Sequence, residues 1–147
     1  MSVADEGSGA AKLPTPRVSM YFDHPARQYA PAGDLVVRYD VEGAAPAVVR
    51  ALERSVLWYT EGKGEEDIGV HHFERLDAAT DVAEALPTGT ITVRLPASPL
   101  SYEGIIVKIR WCVRIRLFFV AGRDYVSEHV FEVGDIAPAR GTVERLP

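Results

Sequence analysis

One stretch constrains this chain more than any other. From Ile105 to Phe119 the residues alternate without a break: Val107, Ile109, Trp111, Val113, Ile115, Leu117 and Phe119 fall at one parity, and Lys108, Arg110, Cys112, Arg114, Arg116 and Phe118 at the other. Side chains on a strand point to opposite faces with period two, so this run reads as a long strand with an apolar face and a basic face. A half-buried strand of this kind belongs in an antiparallel sheet whose apolar side packs on a core. The run carries the basic residues Lys108, Arg110, Arg114 and Arg116, and its period is not helical, so it does not read as a membrane span.

Six further strands are predicted around it. They are Arg17–Asp23, Leu35–Val41, Ala47–Thr60, Val70–Leu76, Thr90–Leu95 and Tyr125–Val133, the last with Phe131 and Val133 inward. Ala47–Thr60 begins with residues that also suit a helix, but Ser55-Val56-Leu57-Trp58-Tyr59-Thr60 is strongly β in composition, and the whole is read as one strand. Turn chemistry separates the strands: Tyr29-Ala30-Pro31-Ala32-Gly33-Asp34, Glu42-Gly43-Ala44-Ala45-Pro46, the acidic loop Glu61-Gly62-Lys63-Gly64-Glu65-Glu66-Asp67, and Ala121-Gly122-Arg123-Asp124. Asp81-Val82-Ala83-Glu84 has capping-box spacing and suggests one helical turn between strands. The expected class is all-β: one antiparallel β-sandwich of about seven strands.

The length of 147 residues fits a single domain with a real core. The expected organisation is a tail over 1–16, a sandwich over 17–136 and a trailing segment over 137–147. The net charge of −5 argues against nucleic acid as the default partner. With one cysteine, Cys112, no internal disulfide can form. The opening residues lack a basic start and an apolar stretch, so they do not read as a secretory signal, and a cytoplasmic location is expected.

No pattern of residues announces catalysis. There is no Gly-x-Ser-x-Gly elbow, no His-Glu-x-x-His pair and no phosphate-cradling glycine loop. His71 and His72 are adjacent, so on a regular strand they face opposite ways and cannot chelate one ion. His24, His129, Asp23 and Glu74 show no metal-ligand spacing with them, and the Glu65-Glu66-Asp67 cluster lacks an ion-encircling pattern. Neither a metal nor another cofactor is expected. Cys112 reads as an inert, buried thiol.

The order of several elements resembles the arrestin family. Leu86-Pro87-Thr88-Gly89 precedes a strand that closes in Leu95-Pro96. Pro99, Ser101-Tyr102 and Gly104 follow, then Ile109, Trp111 and Val113 on the long strand, and last Phe131-Glu132-Val133. This is similar to the family's Leu-Pro…Pro-Ser-aromatic-x-Gly element before a long hydrophobic strand, with Leu100 inserted. The Tyr29–Asp34 turn resembles the family's Tyr-x-Pro-Gly-acid turn, with Ala32 as an extra residue. The family includes the visual and β-arrestins, the arrestin-fold subunit of retromer and bacterial sporulation-control relatives. The resemblance implies a β-sandwich that serves as a scaffold or adaptor without catalysis. Typical members have two such sandwiches and this chain has room for one, so a homodimer would supply the second.

Two binding modes follow. The chain is expected to bind another protein, or a second copy of itself, through a strand edge or loop ends. Alternatively, Lys108, Arg110, Arg114 and Arg116, joined by Arg94 from the preceding strand, grip an anion: a phosphopeptide or a lipid head group. Against the anion mode stands cross-strand pairing of these residues with carboxylates such as Glu128 and Glu132. Trp111 is expected in the core. Trp58 and Tyr59 face opposite sides, so that one of them is available to a partner.

Overall fold

The computed structural model describes residues 15–134; the expected tail and trailing segment fall largely outside them. All seven expected strands are present, with ends shifted by a residue or two: β1 (Arg17–Phe22), β3 (Asp34–Glu42), β4 (Val49–Gly62), β5 (Ile68–Leu76), β6 (Thr88–Arg94), β8 (Val107–Phe119) and β9 (Asp124–Val133). Two short strands add to them, β2 (Gln28–Tyr29) and β7 (Tyr102–Glu103).

They form two sheets. The smaller has the order β1-β3-β6, and the larger β2-β9-β8-β4-β5, with β7 also paired to β8. Strand β8 is central, because β4 pairs with it from Val107 to Phe119 while β7 and β9 share its other side. The inner faces close on each other as the alternation requires. Leu35, Val37, Tyr39 and Val41 of β3 pack against Leu52 and Val56 of β4 and Trp111, Val113, Ile115, Leu117 and Phe119 of β8. Phe131 and Val133 are buried as expected.

The inserted turn of helix is α1 (Ala79–Ala85), and its start differs from the capping-box expectation. The N-cap is Ala78, with no side-chain hydrogen bond, and Asp81 lies inside the first turn, where its charge suits the helix dipole. Helix α1 buries Val82 and Ala85, and the Ala85 carbonyl accepts a 2.9 Å hydrogen bond from the Tyr39 hydroxyl. The first residues expected in the Ala47–Thr60 strand instead belong to a 3-10 turn, Pro46–Val48.

Gly104 has a job different from backbone freedom. A Cβ there would lie 2.5 Å from the Val107 carbonyl oxygen and collide with the Tyr102 ring, so the residue is glycine for space. Gly69 is similar: its cross-strand partner Trp58 lays its indole where a Cβ would stand.

Candidate functional site

The outer face of the larger sheet gathers most of the charged residues singled out above. On β8 it presents Lys108, Arg110, Arg114 and Arg116, as the alternation requires. The register then decides what they meet. Arg114 lies opposite Glu128 on β9, and Lys108 lies opposite Glu61 on β4 and Glu103 on β7. Each cation is ion-paired. Arg114 meets Glu128 at 2.7 Å, and Arg116 meets Asp124 at 2.6 Å. Arg110 meets Glu61 at 2.6 Å and Glu103 at 3.6 Å, and Lys108 meets Glu103 at 3.2 Å. The hydrogen bond to Glu61 raises the Arg110 pKa further above its ordinary value. Glu128 is therefore one of the carboxylates named from the sequence, whereas Glu61, Glu103 and Asp124 supply the others. The basic row belongs to a lattice of partly exposed pairs, each contributing about 0–1 kcal/mol.

Arg94 does not join this row. Its strand, β6, belongs to the smaller sheet, and its guanidinium pairs with Asp34 of β3 at 3.6 Å. The chain crosses between sheets after Arg94, so adjacency in sequence does not become adjacency on one face.

At the middle of the outer face the sheet is apolar. Leu57 and Cys112 lie opposite each other on β4 and β8 and are fully buried, with Ser55 beside them. Burial pushes the Cys112 thiol up to about 12, with Glu128 adding to the effect and Arg114 opposing it. The thiol is thus protonated and inert near neutral pH. Burial also raises the Tyr59 phenol. Tyr59 sits on this outer face and Trp58 on the inner one, as their adjacency requires. Both are half-buried.

Strand β5 ends the larger sheet, and its free side carries no strand among the described residues. It departs from the regular alternation at one place. Leu57 lies opposite Val70 and Val56 opposite His72, so His71 is the extra residue of a β-bulge. The bulge corrects the expectation that His71 and His72 face opposite ways. The His71 ring is 2.6 Å from the Arg94 carbonyl oxygen of the smaller sheet, and His72 is 3.4 Å from Glu74 on the inner side. Among the described residues no cluster of His, Cys, Asp or Glu could hold a metal ion. Glu74 also binds Arg54 at 2.8 Å, and Arg54 donates to the Tyr39 hydroxyl at 3.2 Å. Burial works against the Arg54 charge, but Tyr39 and Glu74 outweigh it and raise its pKa.

On the outer side β5 presents Ile68, Val70 and Phe73, each more than half exposed at 56%, 56% and 54%. Ile68 lies opposite Tyr59, Val70 opposite Leu57 and Phe73 opposite Ser55. Together they extend the buried apolar middle of the face out to the free edge. The same row borders a cavity of about 270 Å³ lined by Tyr59, Glu66, Asp67, Ile68, Arg114 and Glu128.

The solved structure of Spo0M, a sporulation control protein from Bacillus subtilis, matches this architecture. The alignment has a TM-score of 0.54 at 12% identity and covers 84% of this chain and 51% of that one. The fold is arrestin-like. The chain thus spans about half the length of this neighbour. No family model matches the chain, and no curated protein matches it in sequence. Among the described residues, no helix is long and apolar enough to cross a membrane.

Proposed function

We propose that the chain is a non-catalytic, arrestin-like adaptor module that binds another protein through β5 and the outer face beside it. One observation carries this reading: β5, an edge strand unpaired on one side among the described residues, presents Ile68, Val70 and Phe73 beside the buried apolar middle of the sheet. A free edge offers backbone donors and acceptors at a fixed spacing, and an incoming strand satisfies them while its side chains cover the apolar row. Strand β5 has neither lysine nor proline, and its bulge at His71 confines such pairing to the regular stretches on either side of it.

The anion-binding alternative rests on Lys108, Arg110, Arg114 and Arg116. A phosphate group arriving there must displace carboxylates already paired with them, which weighs against it.

The test compares capture of a protein partner from native cell extract by three forms: wild type, Val70→Lys with Phe73→Lys, and Arg114→Gln with Arg116→Gln. Neutral glutamine is preferable to glutamate, which would set like charges against Glu128 and Asp124. Loss of the partner in the β5 form alone is the expected result. Loss in the arginine form alone, together with salt-sensitive binding of wild type to phosphatidylserine vesicles, would replace the adaptor reading with the anion one. Both positions are only about half exposed, so each substitution is expected to cost about 1 kcal/mol, and the variant's melting temperature is measured beside the capture.

A further inference from the structure

Resting on that reading of β5, we infer that the protein partner is cationic where it meets the Ile68 end of the row: a lysine or arginine side chain joined to an apolar stretch. The argument starts from the cavity of about 270 Å³ on the outer face, bounded by Ile68 of β5, Tyr59 of β4, Arg114 of β8, Glu128 of β9 and the loop residues Glu66 and Asp67. Ile68 belongs both to this cavity and to the exposed row that it forms with Val70 and Phe73. A segment lying along the row therefore also meets the cavity.

The cavity is short of positive charge. Its lining holds three carboxylates and one guanidinium. That guanidinium is already bonded to Glu128, with the Arg114 Nε and Nη2 at 2.8 Å and 2.7 Å from the same carboxylate oxygen. Asp67 is held by its backbone: its N–H donates to the Thr60 Oγ1 at 2.8 Å, and its carbonyl accepts from the Thr60 N–H at 3.0 Å. This fastening sets the end of the loop against β4 without using the carboxylate. Among the described residues, the Glu66 and Asp67 carboxylates have no ion pair or hydrogen bond, and the Tyr59 hydroxyl has no hydrogen bond.

Such a lining is rich in acceptors and poor in donors. A guanidinium carries five N–H donors and an ammonium three, and neither accepts. The aliphatic stem of either residue packs on Ile68 while its charged end meets the carboxylates and the Tyr59 ring. A phosphate or carboxylate arriving there would face two unpaired charges of its own sign, so this end of the row selects against anionic partners. The net charge of −5 on the whole chain draws a cationic segment in the same direction.

The probes are labelled peptides of alternating valine and threonine with arginine, glutamine or glutamate at both ends, so that either strand direction brings one such residue to the cavity. Fluorescence anisotropy on wild type is expected to rank them arginine, glutamine, glutamate, with about a fivefold step between the first two, as for a partly exposed ion pair. Glu66→Gln with Asp67→Asn should erase that step. Glu42→Gln with Glu84→Gln, two exposed positions elsewhere on the surface, removes the same charge and should keep it. Melting temperatures of both forms are measured alongside. Equal binding of the arginine and glutamine peptides, binding of none of them, or a step that both double variants change alike would overturn the inference. Capture from extract tells this failure from failure of the adaptor reading. Capture that is lost in the Val70→Lys, Phe73→Lys form but indifferent to Glu66 and Asp67 sinks the cation and leaves β5 as the docking edge, whereas capture indifferent to the β5 form removes both.

Discussion

The two open seams of this sandwich are closed by opposite means. Where β1 and β9 come together, the segment after β1 folds into the gap. Tyr29 meets Phe131 edge-to-face and Phe22 meets it at a tilt, with centroids 5.7 Å and 5.8 Å from it, and β2 pairs with the end of β9. Backbone and side-chain bonds fasten it: Glu132 N–H donates to the Arg27 carbonyl, and the Gln28 amide donates to the Gly134 carbonyl. Where β6 and β5 come together, the closure is polar. Arg54 reaches the Thr90 carbonyl, and the His71 ring lies against the Arg94 carbonyl. The first seam covers the C-terminal end of β9, where β2 pairs with Glu132 and Val133. The second ties the two sheets and, among the described residues, leaves the outer side of β5 uncovered. An apolar seal is non-directional and buries whole side chains at the end it covers, whereas a few polar bridges satisfy particular atoms and leave the rest of the strand available.

The largest effect should come from breaking the apolar seam. Phe131→Ala removes a fully buried ring that touches Phe22, Tyr29 and Trp111, and is expected to cost about 3–5 kcal/mol, measured by urea or thermal unfolding. A loss under about 1 kcal/mol would mean that the seal does not depend on this ring. The polar seam should be weaker. Arg54→Ala removes charged hydrogen bonds to Glu74 and a contact to Tyr39, for an expected loss of about 2 kcal/mol. Tyr39 keeps its bond to the Ala85 carbonyl, which limits the damage. If Arg54→Met proves as stable as wild type, the bridge serves geometry more than stability.

The two seams also differ in how far the sequence revealed them. The alternation of β8 foretold its two faces and the burial of Trp111, because a strand's period is local. The ends of β2 and β7 carry no such period. They are two-residue strands imposed by β9 and β8, so no local pattern marks them. Arg94 lies on the other sheet from the basic row, and a change of sheet leaves no trace in the alternation itself. The bulge on β5 did leave one: Ile68 and Val70 are two apart, but Phe73 follows three later, a slip of phase that marks the extra residue at His71. That slip turned two histidines inward and left the apolar row out, and the regular strand expected over Val70–Leu76 hid both. The carboxylates beside the basic row were only partly legible, since Glu61 and Glu103 reach it through pairing with β4 and β7.

A smaller effect is expected in the turn that leads from the apolar seam into β3. Ala32 adopts φ 62°, in the left-handed region that favours glycine. A left-handed residue with a Cβ costs roughly 1–2 kcal/mol. Ala32→Gly is expected to stabilise the chain by up to about 1 kcal/mol, because glycine's greater freedom when unfolded offsets part of the relief. A destabilised variant would show that the Ala32 methyl is worth more in place than the strain it brings.

The smallest effect is a pH dependence on the inner side of β9. His129 lies on the inner side of β9, half-buried, with its Nε2 2.7 Å from the Ser127 hydroxyl. Burial, aided by the nearby Arg27 charge, lowers its pKa below the ordinary 6.5. The native state therefore takes up a proton less readily than the unfolded chain. The contribution is fully present above pH 6.5 and is lost as pH falls toward the native value, so stability in that window rises with pH. Replacing His129 by glutamine should flatten the pH dependence of the unfolding midpoint on the acid side and leave it nearly unchanged at pH 8. If the slope persists, proton uptake elsewhere in the molecule controls it.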